Sequence, residues 1–105
     1  MKRKRYEVEI FFRSVDAFKR ITERNFDIVI TDLKMEGLDG MEFLTEVKRR
    51  SPTTEVVVIT GFATMEAAKE SFRKGVFDFL AKPFKLREIQ EAVERAEKKI
   101  KENRT

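Results

Sequence analysis

The chain has 105 residues, of which 40% are charged and 41% hydrophobic, a formal net charge of +4 at pH 7, and neither cysteine nor histidine. This length fits one compact domain spanning residues 1–105, and the composition excludes disulfides, thiolate metal sites and catalysis by histidine. No apolar run approaches the roughly 20 residues of a membrane helix, so we expect a soluble, cytoplasmic protein without membrane contact.

Strands and helices are predicted to alternate along the first part of the chain. Residues 6–12, YEVEIFF, alternate between apolar and acidic side chains, which predicts a strand with one buried face. Residues 14–25 have apolar side chains at helical spacing, with Ser14 as the N-cap. The apolar run FDIVITD, residues 26–32, predicts a strand that is buried on both faces.

The second part of the chain repeats this alternation. It predicts, in order, helix 40–50, strand 55–60, helix 63–75, strand 76–81 and helix 86–103. The inner strands are continuous apolar runs, and the last helix has a narrow apolar stripe among many charges. Strands alternating with helices of this length predict an α/β fold with a parallel sheet and right-handed crossovers.

Polar residues follow three apolar strands at their carboxyl ends. Asp32 follows IVIT, Thr60 follows VVVI and Lys82 follows VFDFLA. Each alone has a simple structural explanation, as a turn cap, a partner for a loop amide or a solvated charge. Because the carboxyl ends of parallel strands share one edge of the sheet, we expect the three to converge. A carboxylate can form an acyl phosphate, while an ammonium and a hydroxyl bind the phosphoryl oxygens. Gly37 and Gly40 permit a tight loop after the aspartate.

The segments FDIVITDLKMEGLDGMEFL and VVVITGFATMEAAKESFRKGVFDFLAKPF, with the closing helix, resemble the receiver domain of two-component response regulators. The run TGFATMEAAKESFRKGVFDFLAKPF further resembles receivers attached to sigma-54-type activators. This resemblance implies a flavodoxin-like fold with three layers and a parallel sheet.

The resemblance also implies roles for individual residues. In the family, the aspartate that ends the strand accepts a phosphoryl group from a histidine kinase or phosphotransfer protein, and here it is Asp32. Thr60 and Lys82 would sense the phosphoryl group, and Phe79 would be the switch aromatic. The resemblance implies a cis peptide between Lys82 and Pro83, which X-Pro bonds permit. It implies a signalling module that is not an enzyme.

The sequence departs from the family pattern before residue 6. Receivers begin with a buried strand that ends in an acidic pair, followed by a helix, and neither precedes YEVEIFF. Asp32 and the backbone carbonyl of Lys34 would then hold Mg²⁺ alone, which predicts weak binding. Glu36 replaces the usual proline, and we favour a solvated loop residue over a substitute ligand.

This departure predicts a truncated sheet of about four strands and four helices. Residues 6–12 would pair directly with residues 27–32, and the first three helices would cover one face. Only the last helix would cover the other face, which leaves apolar area exposed. We therefore expect a homo-oligomer, formed through that face or by strand exchange. Alternatively, the chain is an experimental or evolutionary fragment, and another polypeptide supplies its missing half.

Two functional hypotheses follow. The chain is either a phosphorelay signalling module with Asp32 as acceptor, or a degenerate receiver that acts as an interaction or dimerisation domain without phosphorylation. A phosphatase of the haloacid dehalogenase type also uses a strand-end aspartate, but it requires a second acid where Lys34 lies. Residues 1–5, MKRKR, could contact nucleic acid, yet no recognition motif accompanies them, so we expect a solvated terminus and no nucleic-acid partner.

Overall fold

A computed structural model of the chain describes residues 14–33, 40–61 and 63–103, apart from the side chains of Ser14, Val15 and Phe18. The strand predicted over residues 6–12 and the N-cap role of Ser14 lie outside this description.

Helices and strands alternate throughout the described residues. In chain order they are α1 (Ser14–Glu23), β1 (Ile28–Thr31), α2 (Gly40–Arg50), β2 (Glu55–Thr60), α3 (Met65–Arg73), β3 (Asp78–Ala81) and α4 (Leu86–Asn103). Four of these elements are shorter than the sequence predicts: α1, β1, α3 and β3. For α3 the reason is a cap, because the Thr64 hydroxyl accepts a hydrogen bond from the Ala67 N–H at 3.0 Å and the helix begins after it.

The described strands form one parallel sheet in the order β1-β2-β3. Ile28 pairs with Glu55 where β1 and β2 begin, and Thr60 pairs with Ala81 where β2 and β3 end. This sequential, parallel order confirms the predicted α/β architecture and places all three carboxyl ends at one edge of the sheet.

The central strand β2 separates two apolar cores. On one face, Val56 and Val58 pack in a cluster with Phe43, Leu44 and Val47 of α2. On the other face, a second cluster joins Val57 and Ile59 to Ala92 of α4. Every residue of β2 is buried, as the run EVVVIT predicts. Full burial of each valine or isoleucine contributes about 1.5–3 kcal/mol, so β2 is the main apolar support of the sheet.

The helices divide between the faces as the sequence predicts. Ala17 of α1 joins the cluster that contains α2. Helix α3 contacts α2, because the Ser71 hydroxyl lies 3.7 Å from the Met41 sulfur and the Lys74 ammonium lies 3.1 Å from the Thr45 hydroxyl. Among the described helices, α4 lies on the opposite face.

Strand β1 differs from its prediction. Val29 packs against the core on the α2 face, but Ile30 on the other face is 45% exposed. The prediction that residues 26–32 form a strand buried on both faces is therefore wrong for one face. The α4 face of β1 is covered only in part, because Ile28 is partly buried whereas Ile30, two residues later, remains in contact with solvent.

Two ion pairs attach α4 to the amino edge of the sheet. Arg95 pairs with Asp78 at the start of β3, and the Lys99 ammonium lies 3.2 Å from a Glu55 carboxylate oxygen at the start of β2. Lys99 also lies 5.6 Å from the centroid of the Phe77 ring, within cation–π range. Of the helices in residues 14–33, 40–61 and 63–103, none is long and apolar enough to cross a membrane.

Candidate functional site

The three polar residues predicted to converge lie at the carboxyl edge of the sheet. Asp32 directly follows β1, Thr60 is the last residue of β2, and Lys82 directly follows β3. Because the strands are parallel and adjacent, their three ends are neighbours. The apolar cores on both faces of β2 hold these ends in place, so the site stands on the rigid part of the fold.

Asp32 and Lys82 are in direct contact. The Lys82 ammonium donates a hydrogen bond to Asp32 Oδ2 at 2.7 Å, the short distance expected when both groups are charged. The two side chains are 27% and 47% exposed, so an incoming group can reach them from solvent. An ion pair this exposed contributes only about 0–1 kcal/mol to stability. Its consequence is therefore chemical, because it holds a cation beside a nucleophilic carboxylate.

Thr60 is buried and connects to Lys82 through the backbone. Its carbonyl accepts a hydrogen bond from the Lys82 N–H at 2.8 Å, which continues the β2–β3 ladder one residue beyond β3. By strand alternation its side chain lies on the same face as Val56 and Val58, towards α2. The end of β2 thus fixes the position of the Lys82 main chain.

Phe79 lies on the same face of the sheet as Thr60. It pairs with Val58, two residues before the pair of Thr60 and Ala81, and its ring packs against the core on the α2 side. The ring is only partly buried. The peptide bond between Lys82 and Pro83 is cis.

Carboxylate ligands for Mg²⁺ are sparse at this edge among the described residues. Among residues 14–33, 40–61 and 63–103, no group of three or more histidine, cysteine, aspartate or glutamate side chains lies together. Mg²⁺ requires several oxygen ligands in octahedral geometry, whereas Asp32 directs one oxygen to an ammonium. Lys34, Glu36 and Gly37 lie outside the described residues, so weak Mg²⁺ binding through the Lys34 carbonyl stays a prediction.

Two contacts beside Asp32 were missed by the sequence analysis. The Thr31 hydroxyl donates to the Asp32 carbonyl at 3.1 Å, and the Gly40 N–H donates to the Leu33 carbonyl at 3.0 Å. Gly40 was predicted to permit a tight loop, but its close packing against the backbone of Asp32 and Leu33 was not foreseen. The hydroxyl residue immediately before the strand-end aspartate was the available signal for the other contact.

Sequence comparison identifies a family and relatives of this chain. Residues 1–94 match the family described as the response regulator receiver domain. The chain is 33% identical over 91 residues to the transcriptional regulatory protein ZraR of Salmonella typhimurium, covering 87% of this chain and 21% of ZraR. It is 31% identical over 86 residues to the DNA-binding transcriptional regulator NtrC of Escherichia coli K12, covering 82% of this chain and 18% of NtrC. The chain thus spans about a fifth of these relatives' length.

Structural comparison agrees on the fold. The crystal structure of a CheY-like response regulator receiver domain protein from Methanospirillum hungatei superposes with a TM-score of 0.89 at 23% identity, covering 93% of this chain and 78% of that chain. This similarity confirms the flavodoxin-like α/β fold. The family match extends over most of the sequence, from residue 1 to residue 94. The chain therefore belongs to the response regulator receiver domain family.

Proposed function

We propose that this chain is the phosphoacceptor module of a two-component phosphorelay, with Asp32 as the phosphorylated residue. The observation that carries this proposal is the Lys82 ammonium 2.7 Å from the Asp32 carboxylate, at the exposed carboxyl edge of the sheet. Receiver domains are regulatory modules that interact with histidine kinases and are not themselves enzymes. A phosphohistidine of such a kinase, or of a phosphotransfer protein, is therefore the proposed donor.

The proposed transfer is a single displacement at phosphorus. An Asp32 carboxylate oxygen attacks the phosphorus, the new O–P bond forms, and the P–N bond to the donor histidine breaks. The electron pair of the broken bond remains on the imidazole nitrogen, which then takes a proton from solvent. Lys82 compensates the charge that collects on the phosphoryl oxygens, which is about −2 in the product.

We further propose that Thr60 and Lys82 sense the phosphoryl group and that Phe79 reports it. Two observations support this role. The Thr60 carbonyl is hydrogen-bonded to the Lys82 N–H, and Phe79 lies on the Thr60 face of the sheet. A movement of the Lys82 ammonium from the carboxylate to phosphoryl oxygens would thus be coupled to Thr60 and to the Phe79 ring on the same face of the sheet.

Intact-mass spectrometry tests the proposal directly. The wild type is incubated with acetyl phosphate, with and without Mg²⁺, because receiver domains typically bind this ion. Asp32→Asn is the test variant. Asp27→Asn is the matched control, because Asp27 is an exposed aspartate just before β1, at the opposite edge of the sheet. We expect a phosphate-sized gain in the wild type and in the control, and none in Asp32→Asn. No gain in the wild type, or an equal gain in Asp32→Asn, would contradict the proposal.

A second candidate function is a phosphorylation-independent interaction module. The observation that favours it is Ile30, an isoleucine 45% exposed beside the buried β2 residues on the α4 face. The proposed partner is a second copy of this chain, packed through that face of β1. Sedimentation equilibrium tests this, with Ile30→Lys as the test variant and Met65→Lys on α3 as the control. Met65 is 74% exposed, so its substitution changes charge without touching β1. A monomeric wild type, or equal association of both variants, would exclude a dimer through this face.

A further inference from the structure

We propose that Gly40 and Thr31 are positioning residues for Asp32, because both contact the main chain that directly follows its carboxylate. This inference rests on the proposed role of Asp32 as phosphoacceptor. It assigns the geometry of the acceptor to two residues that do not touch the phosphoryl group themselves.

Gly40 leaves no room for a side chain. A Cβ at this position would lie 2.4 Å from Leu33 Cα, 2.6 Å from the Leu33 carbonyl oxygen and 2.7 Å from the Asp32 carbonyl oxygen. All three neighbours are main-chain atoms, which cannot rotate away as the end of a side chain can. The Gly40 N–H also donates to the Leu33 carbonyl at 3.0 Å. The first residue of α2 is thus in direct contact with the peptide that follows the acceptor.

The packing of α2 in the core determines whether a side chain at position 40 would displace the helix or the Asp32–Leu33 peptide. Helix α2 is held by three side chains that are buried in the apolar cluster, Phe43, Leu44 and Val47. The Asp32–Leu33 peptide lies beyond the end of β1 and has left the sheet ladder. A methyl group at position 40 would therefore displace the acceptor peptide more readily than the helix.

Thr31 also contacts this peptide. It is a buried residue at the end of β1, and its hydroxyl donates to the Asp32 carbonyl at 3.1 Å. Its own backbone is fixed in the ladder, where it pairs with Val58. The Asp32 carbonyl therefore accepts a hydrogen bond from the Thr31 hydroxyl and lies where a side chain at position 40 would have to go, so both residues restrict this peptide.

A small displacement of Asp32 is enough to break its contact with Lys82, because this hydrogen bond is short. The Lys82 ammonium lies 2.7 Å from Asp32 Oδ2, and a shift of about 1 Å would take it out of the hydrogen-bond range. Reacting groups must be held within about 0.5 Å of productive geometry, and a misplacement of about 1 Å costs about a hundredfold in rate. Loss of positioning should therefore slow phosphoryl transfer while Asp32 and Lys82 remain in the chain.

The chain offers a matched control for each variant. Gly40→Ala is compared with Gly61→Ala, because a Cβ at Gly61 meets no atom within 4 Å. Thr31→Val removes the hydroxyl at similar volume, and Thr31→Ser restores it. Two readouts are used: the rate of mass gain from acetyl phosphate, and the ¹³C chemical shift of the Asp32 carboxyl carbon without any donor. Circular dichroism establishes that each variant is folded.

We expect Gly40→Ala to gain mass about tenfold to a hundredfold more slowly than the wild type and to shift the Asp32 carboxyl signal. Gly61→Ala should match the wild type in both readouts. Thr31→Val should lose several-fold in rate, and Thr31→Ser should recover it, which a purely structural effect of volume would not produce. A Gly40→Ala variant with wild-type rate and signal, or a Thr31→Ser variant as slow as Thr31→Val, would overturn the inference.

The positioning of Asp32 can be tested even if the wild type is not phosphorylated. If the wild type gains no phosphate, the Asp32 carboxyl signal still compares Gly40→Ala with Gly61→Ala, and a shift in the first alone supports the positioning. An unchanged signal in both overturns it. If Gly40→Ala does not fold, the comparison of Thr31→Val with Thr31→Ser decides.

Discussion

The Lys82 ammonium and the Asp32 carboxylate lie 2.7 Å apart, although fifty residues separate them in the chain. They follow the two outer described strands, so the contact passes over the end of β2 between them. Neighbouring strands are about 4.8 Å apart, which makes this span close to 10 Å, a distance that requires the long side chain of lysine. The contact therefore depends on the relative position of all three strand ends.

Substitution of Lys82 should separate phosphorylation from folding. A hydrogen bond between charged groups is worth about 1.5–3 kcal/mol, so Lys82→Met should slow mass gain from acetyl phosphate by about tenfold to a hundredfold. The free energy of unfolding in urea should change by less than about 1 kcal/mol, because the ion pair is exposed. Lys85→Met, also exposed and three residues later, is the control. Equal rates for Lys82→Met and the wild type would remove this lysine from the proposed chemistry.

The Thr60 hydroxyl should be required for the response of Phe79 rather than for phosphorylation itself. Thr60→Val has a similar volume but cannot donate to a phosphoryl oxygen, whereas Thr60→Ser can. We expect the Phe79 ring resonances to shift after acetyl phosphate treatment in the wild type and in Thr60→Ser, and much less in Thr60→Val. NMR spectra of protein with labelled phenylalanine measure this. A full shift in Thr60→Val would show that the hydroxyl is not the sensor.

Two leucines on helices provide a test of the core. Leu44 of α2 is 0% exposed, whereas Leu86 at the start of α4 is 69% exposed. Leu44→Ala should lower the free energy of unfolding by about 2–5 kcal/mol, because it removes buried methyl groups and leaves a cavity. Leu86→Ala should change it by less than about 0.5 kcal/mol. Urea titration followed by circular dichroism compares them, and similar losses would contradict the described packing.

The ion pair between Lys99 and Glu55 should respond unequally to its two substitutions. The Glu55 side chain is 4% exposed and that of Lys99 is 50% exposed. Lys99→Met leaves a buried carboxylate without its ammonium, which should cost about 1–3 kcal/mol. Glu55→Gln leaves a half-exposed ammonium that water can solvate, so its cost should be smaller. Thermal unfolding at neutral pH ranks the variants, and the reverse order would show that Glu55 does not depend on Lys99.

The sequence predicted the parts of this fold whose signal is local. The run EVVVIT carries enough apolar residues to predict β2 with its bounds, and the periodicity of residues 40–50 and 86–103 predicted α2 and α4 equally well. The second face of β1 was predicted wrongly. The exposure of Ile30 depends on the tertiary packing around the carboxyl end of β1, which the run FDIVITD does not encode.

The sequence likewise predicted some features of the candidate site and not others. Asp32, Thr60 and Lys82 could be placed at one edge because each ends an apolar run, and parallel strands bring such ends together. The contact between Gly40 and the Asp32–Leu33 peptide is a matter of tenths of an ångström between main-chain atoms. The partner of Glu55 is forty-four residues away. Neither relationship leaves a periodic trace in the sequence.

Because α4 is attached to the amino edge of the sheet, its first turns can move more easily than the rest of the helix. Ala92 in the apolar cluster and the ion pairs of Arg95 and Lys99 hold α4 against the sheet from residue 92 onwards, whereas its first residue, Leu86, follows Lys82 by a short loop near the opposite edge. If Lys82 moves towards a phosphoryl group, the start of α4 would then tilt relative to the part of the helix that is held against the sheet. We expect amide hydrogen exchange to change on phosphorylation over residues 86–91 and to stay constant over residues 95–100. A uniform change along α4 would mean that the helix shifts as a whole and has no pivot.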